Sequence, residues 1–310
     1  MKLPGDLNLT AGHKDSHTDL SIIIPVLNNA EGLRRTLTAV SKQRYTGGSF
    51  ETIVVDNGSD DNPEEAADRF DVIYLEEHRH LSSPYSARNR GIEASKGEII
   101  VLLDATCVPD PDWLREGVKA IKQGNDIVGG DVVFSVTEES TISELYDSIV
   151  NVRMEDAIKR RNVAKSGNLF IKKSVFDSVG LFPEGLRSGG DIRWTGKAHK
   201  SGFKLFFSED ARVTILPRPL RPLLKKQWRV ARGHPVAWRE RKTFLKNFIK
   251  KGILCVLPVN PATFLRSVRR SDHYFIRRKW LRLFLFGCFI RLVMGIAVFY
   301  GTFQLLRTEE

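Results

Sequence analysis

Apolar and polar positions follow two rhythms along this chain, short unbroken apolar runs and stretches with apolar residues three or four apart. The run from Ile99 to Leu103 ends at Asp104. It predicts a strand buried on both faces that delivers this carboxylate to its carboxyl end, the edge of an open α/β sheet where ligands bind. Asp110 and Pro111 then predict a helix N-cap with proline at the first helical position. Leu20 to Leu27 predicts a second buried strand, stopped by Pro25, and a helix follows with Leu33, Leu37 and Val40 on one face. Thr52 to Val55 runs into Asp56-Asn57-Gly58-Ser59-Asp60-Asp61, a turn-rich stretch able to cap a short helix through Phe70. Val72 to Leu75 is a third strand, and residues 83–95 are helical in pattern. Strands alternating with helices in this way predict a mostly parallel, doubly wound α/β sheet with helices on both faces.

The rhythm changes in the second half. Ile127 to Phe134 reads as a strand, Ile142 to Ile158 as one amphipathic helix, and Gly167 to Ile171 as a short strand. A small helix from Ser174 ends at Gly180, a glycine-rich loop brings Asp191 to the start of a helix reaching Ser201, and residues 205–215 have β character. Residues 283–306 are apolar apart from Arg291, Gln304 and a few small residues, which is long enough to cross a bilayer. The alternative, a helix packed against the globular domain, stays open. Ile253 to Leu265, broken by Pro258 and Pro261, is too short to span and is expected to lie in the membrane interface.

Charge changes this picture. The 310 residues carry a net +11, concentrated past Pro217, where Glu240 and Asp272 are the only acids before residue 283. Such a block suits an anionic membrane surface or a phosphorylated ligand. Its interleaving with long apolar runs argues against nucleic-acid binding. Three cysteines, Cys107, Cys255 and Cys288, without paired spacing argue against a disulfide framework or a zinc site and for a reducing compartment. No dinucleotide fingerprint follows the first strand and no P-loop occurs. The expected organisation is a polar, disordered lead-in at 1–19, a catalytic domain at 20–216, a basic helical membrane-surface segment at 217–282, and a transmembrane or membrane-embedded helix at 283–306. The lead-in lacks the apolar core of a signal peptide, which predicts a cytoplasmic amino terminus.

Several motifs in a fixed order carry a resemblance. They are Ile24-Pro25-Val26-Leu27-Asn28, Val55-Asp56-Asn57-Gly58-Ser59-Asp60-Asp61, Ala87-Arg88-Asn89-Arg90-Gly91, Leu103-Asp104-Ala105-Thr106, Gly167-Asn168-Leu169-Phe170 and Gly189-Gly190-Asp191. From about Leu20 to Leu216 the chain resembles the inverting glycosyltransferases of family 2, with the GT-A fold. The resemblance implies a nucleoside-diphosphate sugar donor. Pro25, Val26, Asn28 and Asp56 would hold its nucleotide, Arg88 and Asn89 would help close that pocket, and Asp104, Ala105 and Thr106 would complete the donor site.

The chemistry requires a carboxylate that takes the proton of the attacking acceptor hydroxyl. By the resemblance that base is Asp191, with Gly190 where the family carries a preceding acid; the other reading makes Asp191 a helix cap. The last Asp of the family's Asp-x-Asp metal motif is Thr106 here. Either Asp104 holds a Mn²⁺ or Mg²⁺ ion with water and phosphate oxygens, or cationic side chains such as Arg229 and Arg232 supply the charge. Trp194 is open between stacking on a sugar or acceptor and packing. The resemblance and the tail together imply transfer to a lipid-linked or polysaccharide acceptor at the cytoplasmic face of the cell membrane, for cell-envelope glycan synthesis. The rival is a GT-A scaffold subunit that has lost catalysis, favoured by Thr106 and Gly190.

Overall fold

A computed structural model describes residues 18–235, 238, 244–271 and 273–307. Most of the expected lead-in at 1–19, and Arg239, Arg241 and Lys242 of the basic block, lie outside the described residues. The chain runs β1 (Leu20–Val26), α1 (Ala30–Val40), β2 (Phe50–Asp56), α2 (Pro63–Ala67), β3 (Ile73–Glu76), α3 (Pro84–Ala94), β4 (Ile99–Leu103), β5 (Cys107–Pro109) and α4 (Trp113–Lys122). It continues through β6 (Ile127–Phe134), α5 (Ile142–Val150), α6 (Met154–Arg161), β7 (Asn168–Lys172), α7 (Lys173–Val179), α8 (Gly190–Lys200) and β8 (Leu205–Ile215). Among the described residues the carboxyl-terminal part includes α9 (Leu220–Arg232), α10 (Phe244–Val256), α11 (Pro261–Arg269), α12 (Tyr274–Arg278) and α13 (Trp280–Arg307).

The strands form one sheet in the order β3-β2-β1-β4-β7-β6-β8-β5. Period-two alternation splits the core. Ile22, Ile24, Val101 and Leu103 face α1 and α4, while Ile23, Ile53, Ile100 and Leu102 face α3, α6, α7 and α8. The sheet is more mixed than the alternation predicts. The β1–β2, β1–β4, β2–β3 and β6–β8 pairs are parallel, but β7 runs antiparallel to both β4 and β6, and β5 runs antiparallel to β8. This return direction sets Asn168 opposite Leu103 and brings Gly167 beside Asp104, whose N–H donates to the Gly167 carbonyl at 3.1 Å. Asn168 also fixes the sheet's second half, accepting from Trp113 Nε1 at 2.8 Å and donating to the Asp131 and Ala211 carbonyls.

Three local expectations are corrected. Pro25 does not stop β1, which continues to Val26 opposite Asp56. The β4 ladder ends at Ile23 opposite Leu102, so β1 is an edge on that side beyond Ile23 and tolerates a residue without an N–H. Asp110 is not an N-cap, since α4 begins at Trp113 with Asp112 in that position. The Asp110 carbonyl instead accepts from Trp113 N and Gln43 Nε2, and the Pro111 carbonyl accepts from Arg44 N, tying this turn to the end of α1. The single helix expected over Ile142 to Ile158 is two. It breaks at Asn151-Val152-Arg153, where Val152 has φ +48°. The break serves two cores, because Met154 and Ile158 pack on the sheet whereas Leu145, Tyr146 and Ile149 pack on the carboxyl-terminal helices.

Those helices share one core with α5. Leu223 of α9, Phe264 and Val268 of α11, Phe275 and Ile276 of α12, and Leu283 and Ile290 of α13 close over Leu145 and Tyr146. Phe264 of the expected interfacial stretch is therefore buried inside the protein.

Candidate active site

The loops after β1 and β2 are built as one unit. Asn28, with φ +50°, accepts the Asp60 N–H at 2.7 Å and donates its own N–H to Ser59 Oγ at 2.9 Å. Ser59 donates its N–H and Oγ–H to the buried Asp56 carboxylate, and Ala30 N donates to Asp61. Pro25, Val26, Asn28 and Asp56 are thus brought together at the carboxyl ends of β1 and β2. Asn29 Nδ2 donates to the Ala105 carbonyl at 3.0 Å, and Thr36 Oγ1 donates to the Cys107 carbonyl at 2.8 Å, so α1 also anchors the Asp104-Ala105-Thr106 turn. Burial, and then the charge of Asp104, push the Cys107 thiol up.

Arg88 is 3% exposed and donates Nη2 to Asp104 Oδ1 at 2.5 Å and Nη1 to the Pro84 carbonyl at 3.0 Å. Its partner is the carboxylate at the end of β4, where the sequence pattern assigns it to the nucleotide. The Asp104 side chain remains 44% exposed, and its Oδ2 would lie 2.9 Å from a Cβ on Gly167. Only glycine leaves that carboxylate its place. Asn89 is not a pocket residue. Fully buried, it donates Nδ2 to the Phe182 carbonyl at 2.9 Å and accepts the Phe182 N–H at 3.0 Å, clamping the loop that leads to α8.

Asp191 stands in the first turn of α8, entered through Gly189 at φ +80°. Its Oδ1 accepts from Tyr85 Oη at 3.1 Å and from Ile192 N at 2.8 Å, and its Oδ2 accepts from Ser166 N at 3.2 Å. The carboxylate is therefore fixed from α3 and from the segment before β7, more than a cap alone requires. A Cβ on Gly190 would meet the Tyr85 ring at 2.8 Å, so the aromatic ring takes the room that a preceding acid would need. Burial, and then the charge of Asp191, raise the Tyr85 phenol above its ordinary range.

Trp194 is packing. It is 3% exposed, donates Nε1 to the Gly180 carbonyl, and stacks on Phe176 with centroids 4.6 Å apart. Arg229 reaches from α9 to the Arg187 carbonyl in the loop before α8. Arg232 is at the exposed end of α9, where its carbonyl faces Gly301 of α13. Among the described residues no hydrogen bond or ion pair joins Arg232 to Asp104, Asp191 or Arg229 in the structure.

A group missed in the sequence lies beside these. Asp147 of α5 is fully buried; it accepts Arg218 N at 2.9 Å and Arg218 Nη1 at 3.1 Å, with Lys226 Nζ at 3.9 Å. Burial, with the charges of Arg218, Lys165 and Arg229 outweighing Asp147, brings the Lys226 ammonium down to about 7. Burial also lowers Lys165, against the pull of Asp191. Arg218 acts electrostatically on Cys107, Lys165, Lys226 and Arg229 alike. These cations are therefore close enough to act on one another, with Cys107 and Asp191 also within electrostatic reach. The signal in the sequence was an Asp inside the otherwise uncharged stretch Leu145–Val150 and an Arg between two prolines.

Among the described residues no three His, Cys, Asp or Glu side chains gather as a metal cluster. One half-exposed carboxylate, shared with Arg88, and the exposed Thr106 hydroxyl fall short of the roughly six oxygens a divalent ion takes. The set fits an ion that enters with the diphosphate and shares its oxygens, not a resident one.

Comparison with known proteins identifies the family. The family model Glycosyl transferase family 2 matches residues 21–177. The Glycosyltransferase AglE of Haloferax volcanii is 38% identical over 301 residues, covering 94% of this chain and 97% of that protein. An undecaprenyl-phosphate 4-deoxy-4-formamido-L-arabinose transferase of Pectobacterium atrosepticum is 27% identical over 177 residues, 53% of this chain and 46% of that one. Among solved structures, the mannosyltransferase PcManGT from Pyrobaculum calidifontis in complex with GDP-Man and Mn²⁺ superposes with a TM-score of 0.52 at 18% identity, covering 95% of this chain and 78% of that one. The chain belongs to glycosyl transferase family 2. Its fold is GT-A, and the protein is a nucleotide-sugar-dependent glycosyltransferase.

Proposed function

We propose that this enzyme transfers a sugar, with inversion at the anomeric carbon, from a nucleoside-diphosphate sugar to a hydroxyl of a lipid-linked or polysaccharide acceptor at the cytoplasmic membrane face. The observation that carries the reading is the double fixation of Asp191 by Tyr85 and Ser166. A carboxylate so held, with a neutral phenol and a backbone amide as its donors, is oriented to take one proton from an acceptor. The acceptor O–H bond breaks towards Asp191 as its oxygen attacks the anomeric carbon. The bond from that carbon to the diphosphate oxygen breaks on the opposite face, and its electron pair leaves with the nucleoside diphosphate.

Asp56 and the Asn28 loop hold the nucleoside. Lys165, Arg218, Lys226 and Arg229 lower the cost of charge building on the diphosphate. A Mn²⁺ or Mg²⁺ ion arriving with the donor would be held by Asp104 and would supply further neutralisation of that leaving group. The relative that acts on undecaprenyl phosphate, and the apolar carboxyl-terminal helix, support a lipid-linked acceptor. The test is product release from a panel of nucleotide sugars, with and without membrane lipid extract, followed by assignment of the new linkage by NMR. Asp191→Asn should abolish transfer and leave nucleotide affinity intact. Retention of configuration, or full transfer by that variant, would overturn the mechanism.

A further inference from the structure

The 28 residues of α13 are long enough to cross a bilayer, but a crossing helix surrounded by lipid needs apolar residues facing lipid all round. Both faces of α13 are apolar, but one of them is taken up by protein and only the other is left for lipid. Leu285, Phe289, Leu292, Ile296, Phe299 and Phe303, spaced four and three apart, are 46 to 60% exposed. They form a single stripe. On the other face Leu283, Ile290, Ala297 and Val298 are buried.

That second face is covered by α5 of the catalytic domain and by the carboxyl-terminal helices α9 and α11. Phe286 meets Tyr146 of α5 with centroids 5.3 Å apart, Phe284 meets Phe264 of α11 at 5.8 Å, and Tyr300 meets Trp228 of α9 at 6.0 Å. At Gly301 a Cβ would come 2.3 Å from the Arg232 carbonyl. Helix α9 therefore runs beside the distal half of α13, and it bears Arg221, Lys225, Arg229 and Arg232 on exposed positions. Carrying α13 across a bilayer would pull those cations, and the α5 side of the catalytic core, into hydrocarbon.

The stripe is instead arranged for one leaflet. Helix α13 contains no acidic residue; exposed Arg282 lies in its first turn with Arg277 and Arg278 of α12 just before it, and Arg307 is at its end. Trp280 and Tyr274, both exposed, sit among the first of these. Basic residues with interfacial aromatics beside an apolar stripe suit an anionic lipid surface. Exposed Leu245 and Ile249 of α10 add to the apolar surface of the tail.

We propose that α13 lies in the plane of the membrane, half sunk in one anionic leaflet through the stripe from Leu285 to Phe303, and does not cross the bilayer. This rests on the reading of a membrane-working enzyme and deepens it. Helix α9 then separates the leaflet from the site by a single layer, since Trp228 touches α13 while Lys226 and Arg229 reach Asp147 and the loop before α8.

The test uses the full chain and two independent readouts. In flotation, wild type should rise with phosphatidylglycerol vesicles and stay behind with phosphatidylcholine alone, and Ile296→Glu should reduce recovery at least tenfold without loss of nucleotide binding. In sealed vesicles, single cysteines placed by Ser271→Cys and Thr308→Cys in a cysteine-free background should both react with an impermeant maleimide added outside. Labelling of one and protection of the other would show a spanning helix and overturn the in-plane arrangement while leaving membrane function intact. Failure of wild type to float, with a dimer in light scattering, would place a second copy on the stripe and overturn both. Undiminished flotation of Ile296→Glu would remove the stripe from the contact.

Discussion

Tyr85 and Arg88, three residues apart on α3, hold the two carboxylates of the site, Tyr85 through its hydroxyl to Asp191 and Arg88 through its guanidinium to Asp104. The Arg88 guanidinium carbon also lies 5.8 Å from the centroid of the Tyr85 ring. One turn of helix thus sets the position of the proposed base relative to the diphosphate end, because residues at this spacing share a helix face.

Tyr85→Phe keeps the ring that Gly190 packs against and removes one hydrogen bond to Asp191. The expected result is a fall in turnover of about one to two orders of magnitude, the worth of a hydrogen bond to a charged group, with unchanged nucleoside-diphosphate affinity. Steady-state kinetics with calorimetry checks it; an unchanged turnover would mean that Ser166 alone orients the base.

Asn89→Ala should act on stability, since it leaves the Phe182 N–H and carbonyl without their partner. A loss of about 2 to 3 kcal/mol in urea unfolding is expected, with nucleotide affinity preserved at temperatures where the variant is folded. Weakened affinity without a stability loss would return Asn89 to the nucleotide pocket.

Thr106→Asp places a hard anionic oxygen two residues from Asp104 on the same turn. Mn²⁺ titrated together with nucleoside diphosphate should bind at least tenfold tighter than to wild type, and turnover should slow if the product complex is over-stabilised. No gain in affinity would show that the turn does not face the ion.

Lys226 gives the site a pH signature. Its pKa is depressed to about 7, below the ordinary lysine value, so from about pH 7 to about 10 the unfolded chain binds more protons at this residue than the folded one. Its contribution to stability therefore rises with pH through that window, and below it the full penalty of a buried ammonium, facing Arg218, Lys165 and Arg229 with only Asp147 opposing, is present. Lys226→Met should flatten this slope. A bound diphosphate restores the proton, so wild-type binding should take up protons at pH 8 and weaken as pH rises, which calorimetry in buffers of different ionisation enthalpy reads directly. Proton uptake that persists in the variant would assign it to another group.

The parts legible in the sequence were those that depend on neighbours along the chain. Apolar runs ending in Asp56 and Asp104 gave strands and their site ends, and Gly189 announced the turn into α8. Directions and distant partners were not legible. A short apolar run such as Leu169 to Ile171 carries no sign of whether it returns parallel or antiparallel. Nothing near Arg88 or Asn89 tells that their partners are Asp104 and Phe182. The break at Asn151 to Arg153 has no Gly or Pro, since two separate cores impose it, and Asp147 looked like any polar position until Arg218 and Lys226 closed on it.

Trimming the chain after residue 216 to obtain a more tractable soluble fragment would carry a hidden cost. Leu145, Tyr146 and Ile149 would lose the helices that shelter them, and Asp147, on the same short helix, would lose both Arg218 and Lys226. Such a fragment would keep the strands and the nucleotide loops while discarding Arg218, Lys226 and Arg229, three of the four cations proposed to offset charge on the leaving group. Inactivity in it would speak of a dismantled site, not of a missing membrane.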